Sequence, residues 1–388
     1  MNLVCFSWEA WNLRVNKRSV PLVQALLRNK VVDRVLYVNP PLHLSTIIRG
    51  LDSAESRHQL QYCWPHRSKS VVVFTPFYPL PQRCRRINGW LGRLQVGFLK
   101  AVLRLRPYVY INTNPMEPEL QPAFADAEVE CLDMYDDFEQ IVSADEIRRG
   151  EHTRIRNAVN ADAHRADFVI AVNSLLADRF RKMGLRAEVL RNAVDFSMFN
   201  RDREPTPEPP VALRALPRPI IGYMTGQVDT RIDWELVDFL RQQRPSWSFV
   251  ILGPSFNSAI VPESVRSAAN VHFAPAVPYP ELLDFLSHYS VGMAPMRVNA
   301  VGLGSDLLKI YHYLAAGLPV VTTAVGGTDL YGNLIRVATS PNDFLEQLEL
   351  ALRDNTVEVI RRRLDYAQSN SWDARAAEFS HWLTQVLA

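Results

Sequence analysis

With 388 residues, 47% of them hydrophobic and 22% charged, and a formal net charge of +2, the chain has the composition of a folded globular protein rather than a disordered or fibrous one. It is long enough for two domains of ordinary size, and no run approaches the roughly 20 apolar residues that a membrane-spanning helix needs. Cys5, Cys63, Cys84 and Cys131 are scattered and form neither a C-x-x-C pair nor a disulfide framework, so a reducing cytoplasm is the expected compartment.

The N-terminal segment MNLVCFSWEAWN carries Glu9 and no basic leader, and reads as a first strand rather than a signal peptide. Strand-like runs follow at Val35–Asn39, Val71–Phe74, Tyr108–Asn112, Val129–Asp133, Phe168–Val172 and Ala187–Leu190. Helices are expected at Val20–Arg28, Ile87–Leu105, Ala144–Arg165 and Ser174–Met183. That alternation predicts parallel βαβ units in a doubly wound sheet. The first strand–helix loop holds Arg14, Lys17 and Arg18, placed to meet an acceptor. It lacks the G-x-G-x-x-G of a nicotinamide-binding protein, which argues against a dehydrogenase.

Charge is unevenly divided. Residues 1–110 hold 17 Lys and Arg against 4 acids, or +13, and the remainder is −11. A basic first half suits an anionic partner, and no nucleic-acid module signature is present. Arg83–Arg106 concentrates seven cations and no acid among Trp90, Leu91, Leu94, Phe98, Leu99, Val102 and Leu105 at helical spacing. Such a basic amphipathic helix fits either an anionic membrane surface or a packing helix with a solvated basic side.

Glu130–Ile141 places Asp133, Asp136 and Asp137 at the end of an apolar strand. A carboxylate there is suited to deprotonating a hydroxyl, or else to capping the next helix. Residues 200–218, rich in proline and charge, are expected to link two domains. A second alternating series runs from 219 to 370, and residues 371–388 form an amphipathic helix expected to pack toward the first domain, residues 1–199.

Within the second series, SDLLKIYHYLAAGLPVVTT (Ser305–Thr323) predicts a helix, a stop at Gly317 and a strand buried on both faces. Ser305, Asp306 and Lys309 gather at the helix N-terminus, where free N–H groups favour phosphate. In GYMTGQVDTR (Gly222–Arg231), Thr225 and Gly226 admit a phosphate to the backbone and Arg231 offers a neutralising charge.

The wording K-x-Y-x-Y-L-A-A-G-x-P-V-V resembles the nucleotide-sugar half of GT-B glycosyltransferases. The resemblance extends in order over Ile220–Leu240, Trp247–Pro254, Asn270–Leu286 and Val291–Asn299, and so covers most of 219–327. It implies an α/β architecture of two Rossmann-like domains facing across a cleft, with a last helix crossing back to the first. It also implies sugar transfer from a nucleoside diphosphate, UDP foremost, without a metal or other cofactor. On that basis Gly253, Arg297 and Lys309 are donor-binding positions. Many retaining members carry two glutamates whose places are taken here by Gly304 and His312. The pattern is closer to bacterial exopolysaccharide transferases, including a membrane-associated glucuronosyltransferase. In those, His312 would take over the ribose contact and Asp136 would be the base, with Asp137 and Asp133 in reserve. The implied acceptor is a polyprenyl-diphosphate-linked or other saccharide, and the implied location the cytoplasm, at the inner face of the membrane. A GT-B isomerase and a non-catalytic sugar-nucleotide binder are the rival expectations.

Overall fold

The central strands of this chain are continuous apolar runs rather than alternating ones, which is what a parallel sheet covered on both faces requires. The computed structural model describes residues 1–12, 18–50, 54–139, 150–199, 208–225, 231–253 and 260–388. The chain divides into two compact units. The first comprises residues 1–191 and 375–388, and the second residues 192–374.

The first unit contains β1 (Asn2–Ser7), β2 (Arg34–Val38), β3 (Leu42–His43), β4 (His66–Ser68), β5 (Val71–Phe74), β6 (Phe77–Tyr78), β7 (Tyr108–Thr113), β8 (Val129–Met134), β9 (Phe168–Ala171) and β10 (Ala187–Val189). Eight of these form one sheet in the order β10-β9-β8-β7-β1-β2-β5-β4, and β3 pairs with β6 apart from it. The sheet is parallel except where β4 runs antiparallel to β5. Chain order reverses between β1 and β7, so the carboxyl ends of those strands mark the crevice where such sheets bind ligands.

The second unit holds β11 (Ile220–Met224), β12 (Ser248–Gly253), β13 (Val271–Pro275), β14 (Val291–Ala294), β15 (Val320–Thr323) and β16 (Arg336–Ala338). They form an all-parallel sheet in the order β13-β12-β11-β14-β15-β16, the dinucleotide-fold order with its switch between β11 and β14. Successive residues feed two cores. Ile220, Val250, Leu252 and Val320 pack on one face, and Ile221, Tyr223, Phe249, Ile251 and Val321 on the other.

The chain crosses between the units at two places. The proline-rich run does not mark the change of unit, which falls at Arg191–Asn192. Phe199 just before that run and Leu213 within it are buried in the second unit's core. The last helix, Trp372–Leu387, straddles the other crossing, with Trp372 before it and the buried Phe379 in the first unit beyond it.

The segment Ser305–Thr323 folds much as its spacing dictates. The helix spans Leu308–Ala315, three residues later than its polar start suggested. Gly317 takes φ +72°, its N–H donates to the Leu314 carbonyl at 2.9 Å, and the Leu318 N–H donates to the Tyr313 carbonyl at 2.9 Å. That pair of bonds is the Schellman stop, which only glycine enters without strain.

Candidate functional site

In the second unit the site is built from glycine upward. Gly222 and Gly292 are register partners on β11 and β14. A Cβ on Gly222 would lie 2.0 Å from the Tyr289 ring, and one on Gly292 would lie 2.6 Å from the Tyr313 ring. The missing side chains are therefore the slots for those two rings. Tyr313 is then fixed at its tip, accepting from the Met224 N–H at 2.9 Å and donating to the Met293 carbonyl at 3.3 Å.

Lys309 lies four residues before Tyr313 and shares its helix face. Its Nζ donates to the Tyr223 hydroxyl at 3.0 Å and sits 4.4 Å from that ring's centroid, with Met296 Sδ at 3.7 Å. Tyr223 is buried and Lys309 half-buried, so an ammonium is held against the tyrosine at the carboxyl end of β11. The loops after β11 and β14 are tied by the Ile232–Met296 bridge, by the Arg297 N–H to the Arg231 carbonyl at 2.7 Å, and by Arg297 Nε to the Ile232 carbonyl at 3.2 Å. Thr225, anchored through its N–H to the Leu252 carbonyl at 2.9 Å, is half-buried at the same edge. Gly253 ends β12, the next strand outward from β11, and is buried in strand pairing. Gly226 lies outside the described residues.

Three expected donor contacts are corrected. Asp306 is 5% exposed, and its carboxylate accepts from the Asn192 N–H at 2.8 Å, the Tyr311 hydroxyl at 2.9 Å and the Tyr331 hydroxyl at 3.4 Å. It ties three segments of the second unit together. Ser305 is buried with its hydroxyl donated to the Val301 carbonyl at 2.8 Å, which closes the loop before the helix. His312 is 2% exposed between the rings of Phe199 and Tyr279, at centroid distances of 5.5 and 5.4 Å. Burial pushes its pKa down to about 3, so it is a neutral core ring.

The first unit presents a polar belt along its strand ends. Asn114 Nδ2 donates to the Ser7 carbonyl at 3.3 Å, and the Ser19 and Thr113 hydroxyls lie 3.3 Å apart. Arg18 Nε bridges both oxygens of Asp133 at 3.1 and 2.9 Å, and both side chains are buried. Burial raises the Asp133 carboxyl above the usual range, against the pull of the guanidinium. Asp133 and Arg18 are thus corrected from a reserve base and an acceptor contact to an internal ion pair. It joins the end of β8 to the start of the Ser19–Arg28 helix.

Asp136 and Asp137 remain half-buried at the surface end of that strand. Asp136 Oδ1 accepts from the Asp137 N–H at 3.0 Å and Asp137 Oδ1 from the Glu139 N–H at 3.2 Å, which shapes the turn. Arg14 and Lys17 lie outside the described residues. Sequence reasoning missed Glu9, whose Oε2 accepts the Ser19 N–H at 3.3 Å at the mouth of the β1 crevice. The signal was present as an acid two residues past the first strand, read only as an argument against a leader. Tyr223 and Tyr313 were missed because aromatic residues in apolar runs look like core.

These two doubly wound units define the GT-B fold. The solved structures agree: a sucrose-phosphate synthase from Thermosynechococcus elongatus superimposes with a TM-score of 0.71 at 14% identity, covering 100% of this chain and 99% of that one. Anabaena HepE in complex with UDP-glucose gives a TM-score of 0.67 at 14% identity, covering 99% and 100%. Residues 220–354, within the second unit, match the profile of the family described as glycosyl transferases group 1. TuaH of Bacillus subtilis, named as a teichuronic acid biosynthesis glycosyltransferase, is 23% identical over 195 residues, 48% of either chain. The chain thus matches about half the length of that curated relative.

Proposed function

We propose that this protein is a glycosyltransferase that moves a sugar from a nucleoside diphosphate, UDP foremost, to a lipid-linked saccharide during surface polysaccharide assembly. The observation that carries the reading is Lys309, an ammonium docked on Tyr223 at the switch point of the family-matched unit. A cation there binds a diphosphate and stabilises it as it leaves. Arg231 and Arg297, on the tied loops beside it, supply further positive charge, so this reading needs no metal. In the first unit Asp136 takes the proton from the acceptor hydroxyl, while the Arg18–Asp133 pair and Glu9 hold the strand ends that present it. HepE, whose structures contain UDP-glucose and UDP, supports a UDP-linked donor, and TuaH supports a polysaccharide setting. A lipid-linked acceptor places the work at the inner face of the membrane, with the basic Arg85–Leu103 helix as the membrane-facing element.

Calorimetric titration with UDP, GDP, ADP and dTDP tests the donor half. One diphosphate should bind selectively, and Lys309→Ala should weaken it about 10- to 100-fold, the worth of a hydrogen bond to a charged group. Asp136→Asn should keep that binding and abolish transfer. A folded protein that binds none of the four, or binds equally well as Lys309→Ala, overturns the reading.

A further inference from the structure

The helix Arg85–Leu103 packs on the first unit in an unusual manner. It buries Asn88, Gly89, Gly92, Val96, Leu99 and Lys100, a side that is largely small or polar. Two of those residues are required by the close approach: a Cβ on Gly89 would meet Glu119 at 2.5 Å, and one on Gly92 would meet the Tyr78 ring at 2.9 Å. The opposite side carries Ile87, Trp90, Leu94, Phe98 and Val102, each at least 52% exposed. Their spacing of three or four residues makes a single stripe about 22 Å long at 1.5 Å per residue. Soluble surfaces scatter such residues singly, and a continuous row marks a contact surface.

Cations run along the same helix. Arg86, Arg93 and Lys100 recur every seven residues on one flank of the stripe, and Arg104 follows at the helix end. Arg83, Arg86, Arg93 and Arg104 have no carboxylate partner among the described residues. Lys100 and Arg106 share one carboxylate, Asp126, so that corner keeps a net positive charge. A groove of about 880 Å³ opens beside the stripe, with Trp90, Arg93, Lys100, Arg104 and Arg106 among its walls. Gly97 forms part of its floor, and a Cβ there would meet nothing within 4 Å, so no packing partner fills the space.

We infer that this face docks on an anionic phospholipid bilayer. The Ile87–Val102 stripe sinks to the boundary of headgroups and acyl chains, and a headgroup phosphate enters the groove between Arg93 and Arg104. Charge selects this occupant over the alternatives. A second copy would set four cations without a carboxylate partner, Arg83, Arg86, Arg93 and Arg104, against the same four, a like-charged contact. A protein partner's buried core would be depleted in such charges, whereas a lipid interface combines apolar depth with anionic headgroups. The inference deepens the membrane part of the proposed function and stands without sugar transfer, because its test contains no nucleotide.

The experiment is co-sedimentation of the full chain with vesicles of phosphatidylcholine alone and of phosphatidylcholine with phosphatidylglycerol at about 3:1, at low and at roughly physiological salt. Circular dichroism melts show which variants are folded. Anionic vesicles should bind wild type at least about tenfold more tightly than neutral ones, and salt should reduce that ratio. Leu94→Ser with Phe98→Ser should lose about tenfold or more on anionic vesicles, since both apolar side chains leave the lipid. Arg93→Gln with Arg104→Gln should retain weak binding and lose most of the preference for phosphatidylglycerol. The inference is overturned if wild type fails to sediment with anionic vesicles at low salt, or if the folded Leu94→Ser/Phe98→Ser variant binds them as wild type does. Wild-type dimerisation in ultracentrifugation that this variant abolishes would assign the stripe to a second copy and overturn it as well.

Discussion

Lys309 and His312 stand three residues apart on one eight-residue helix, and burial gives them opposite characters. Lys309 sits where the helix meets the strand ends and is half-buried, with its ammonium on the Tyr223 hydroxyl. His312 faces Phe199 and Tyr279 inside the core, with its pKa down at about 3. The unfolded chain protonates this imidazole near pH 6.5 and the folded one does not, so between those values the unfolded state binds more protons. Stability therefore rises with pH across that window and is lost as pH falls below about 6.5, by roughly 1.4 kcal/mol per pH unit at most. Replacing the ring by His312→Phe should flatten the fall in melting temperature between pH 6.5 and 4.5 by about one proton. Unfolding followed by circular dichroism at both pH values measures it. An unchanged slope would mean that another group governs acid sensitivity.

At the level of single elements, glycine shows how the same residue can be structural in one place and indifferent in another. Gly222, in the middle of β11, is occupied on one side by the Tyr289 ring, whereas the helical Gly97 faces open groove. Gly222→Ala should cost about 1–3 kcal/mol or more as the strand and ring move apart, because packed sheets accommodate added methyls poorly. Gly97→Ala should instead gain about 0.5–1 kcal/mol through helix propensity. Denaturant titration of both variants tests the contrast, and a stable Gly222→Ala would show that the tyrosine slot is looser than its geometry. The basic helix teaches a related lesson. Its period of apolar residues was legible, but only the packing of Gly89 and Gly92 against the unit shows that much of the apolar stripe faces out.

For the whole molecule, the chain's end completes its beginning. Phe379 is fully buried, with its ring 5.8 Å from that of Phe168 on β9, and Arg375 Nε donates to the Arg191 carbonyl at 3.1 Å. These contacts join segments some two hundred residues apart within the first unit, so that unit cannot be whole until the last helix is made. Phe379→Ala should destabilise it by about 3–5 kcal/mol, the usual cost of emptying a buried phenylalanine site. The check is a calorimetric scan. A loss confined to one transition would mark the first unit, and an unaltered scan would mean the helix is dispensable.

The apolar runs by themselves determined the buried parallel strands of both sheets and the order of βα units, and glycine chemistry the Gly317 stop, whereas the exposed polar edge strand His66–Ser68 was not legible. Buried parallel strands need little beyond local hydrophobicity and β-branched residues to declare themselves. The position of Lys309 in the first turn of its helix was also legible, from the polar residues gathered ahead of the apolar face. Tertiary structure decided which polar side chains stay available. Asp133, Asp136 and Asp137 are alike in the sequence, yet only the first meets Arg18 in the interior. Asp306 and His312 carry donor-like positions but are consumed by Asn192, Tyr311 and Tyr331 in one case and by aromatic packing in the other. Solvent access and ion pairing depend on segments far apart along the chain, and no local pattern records them.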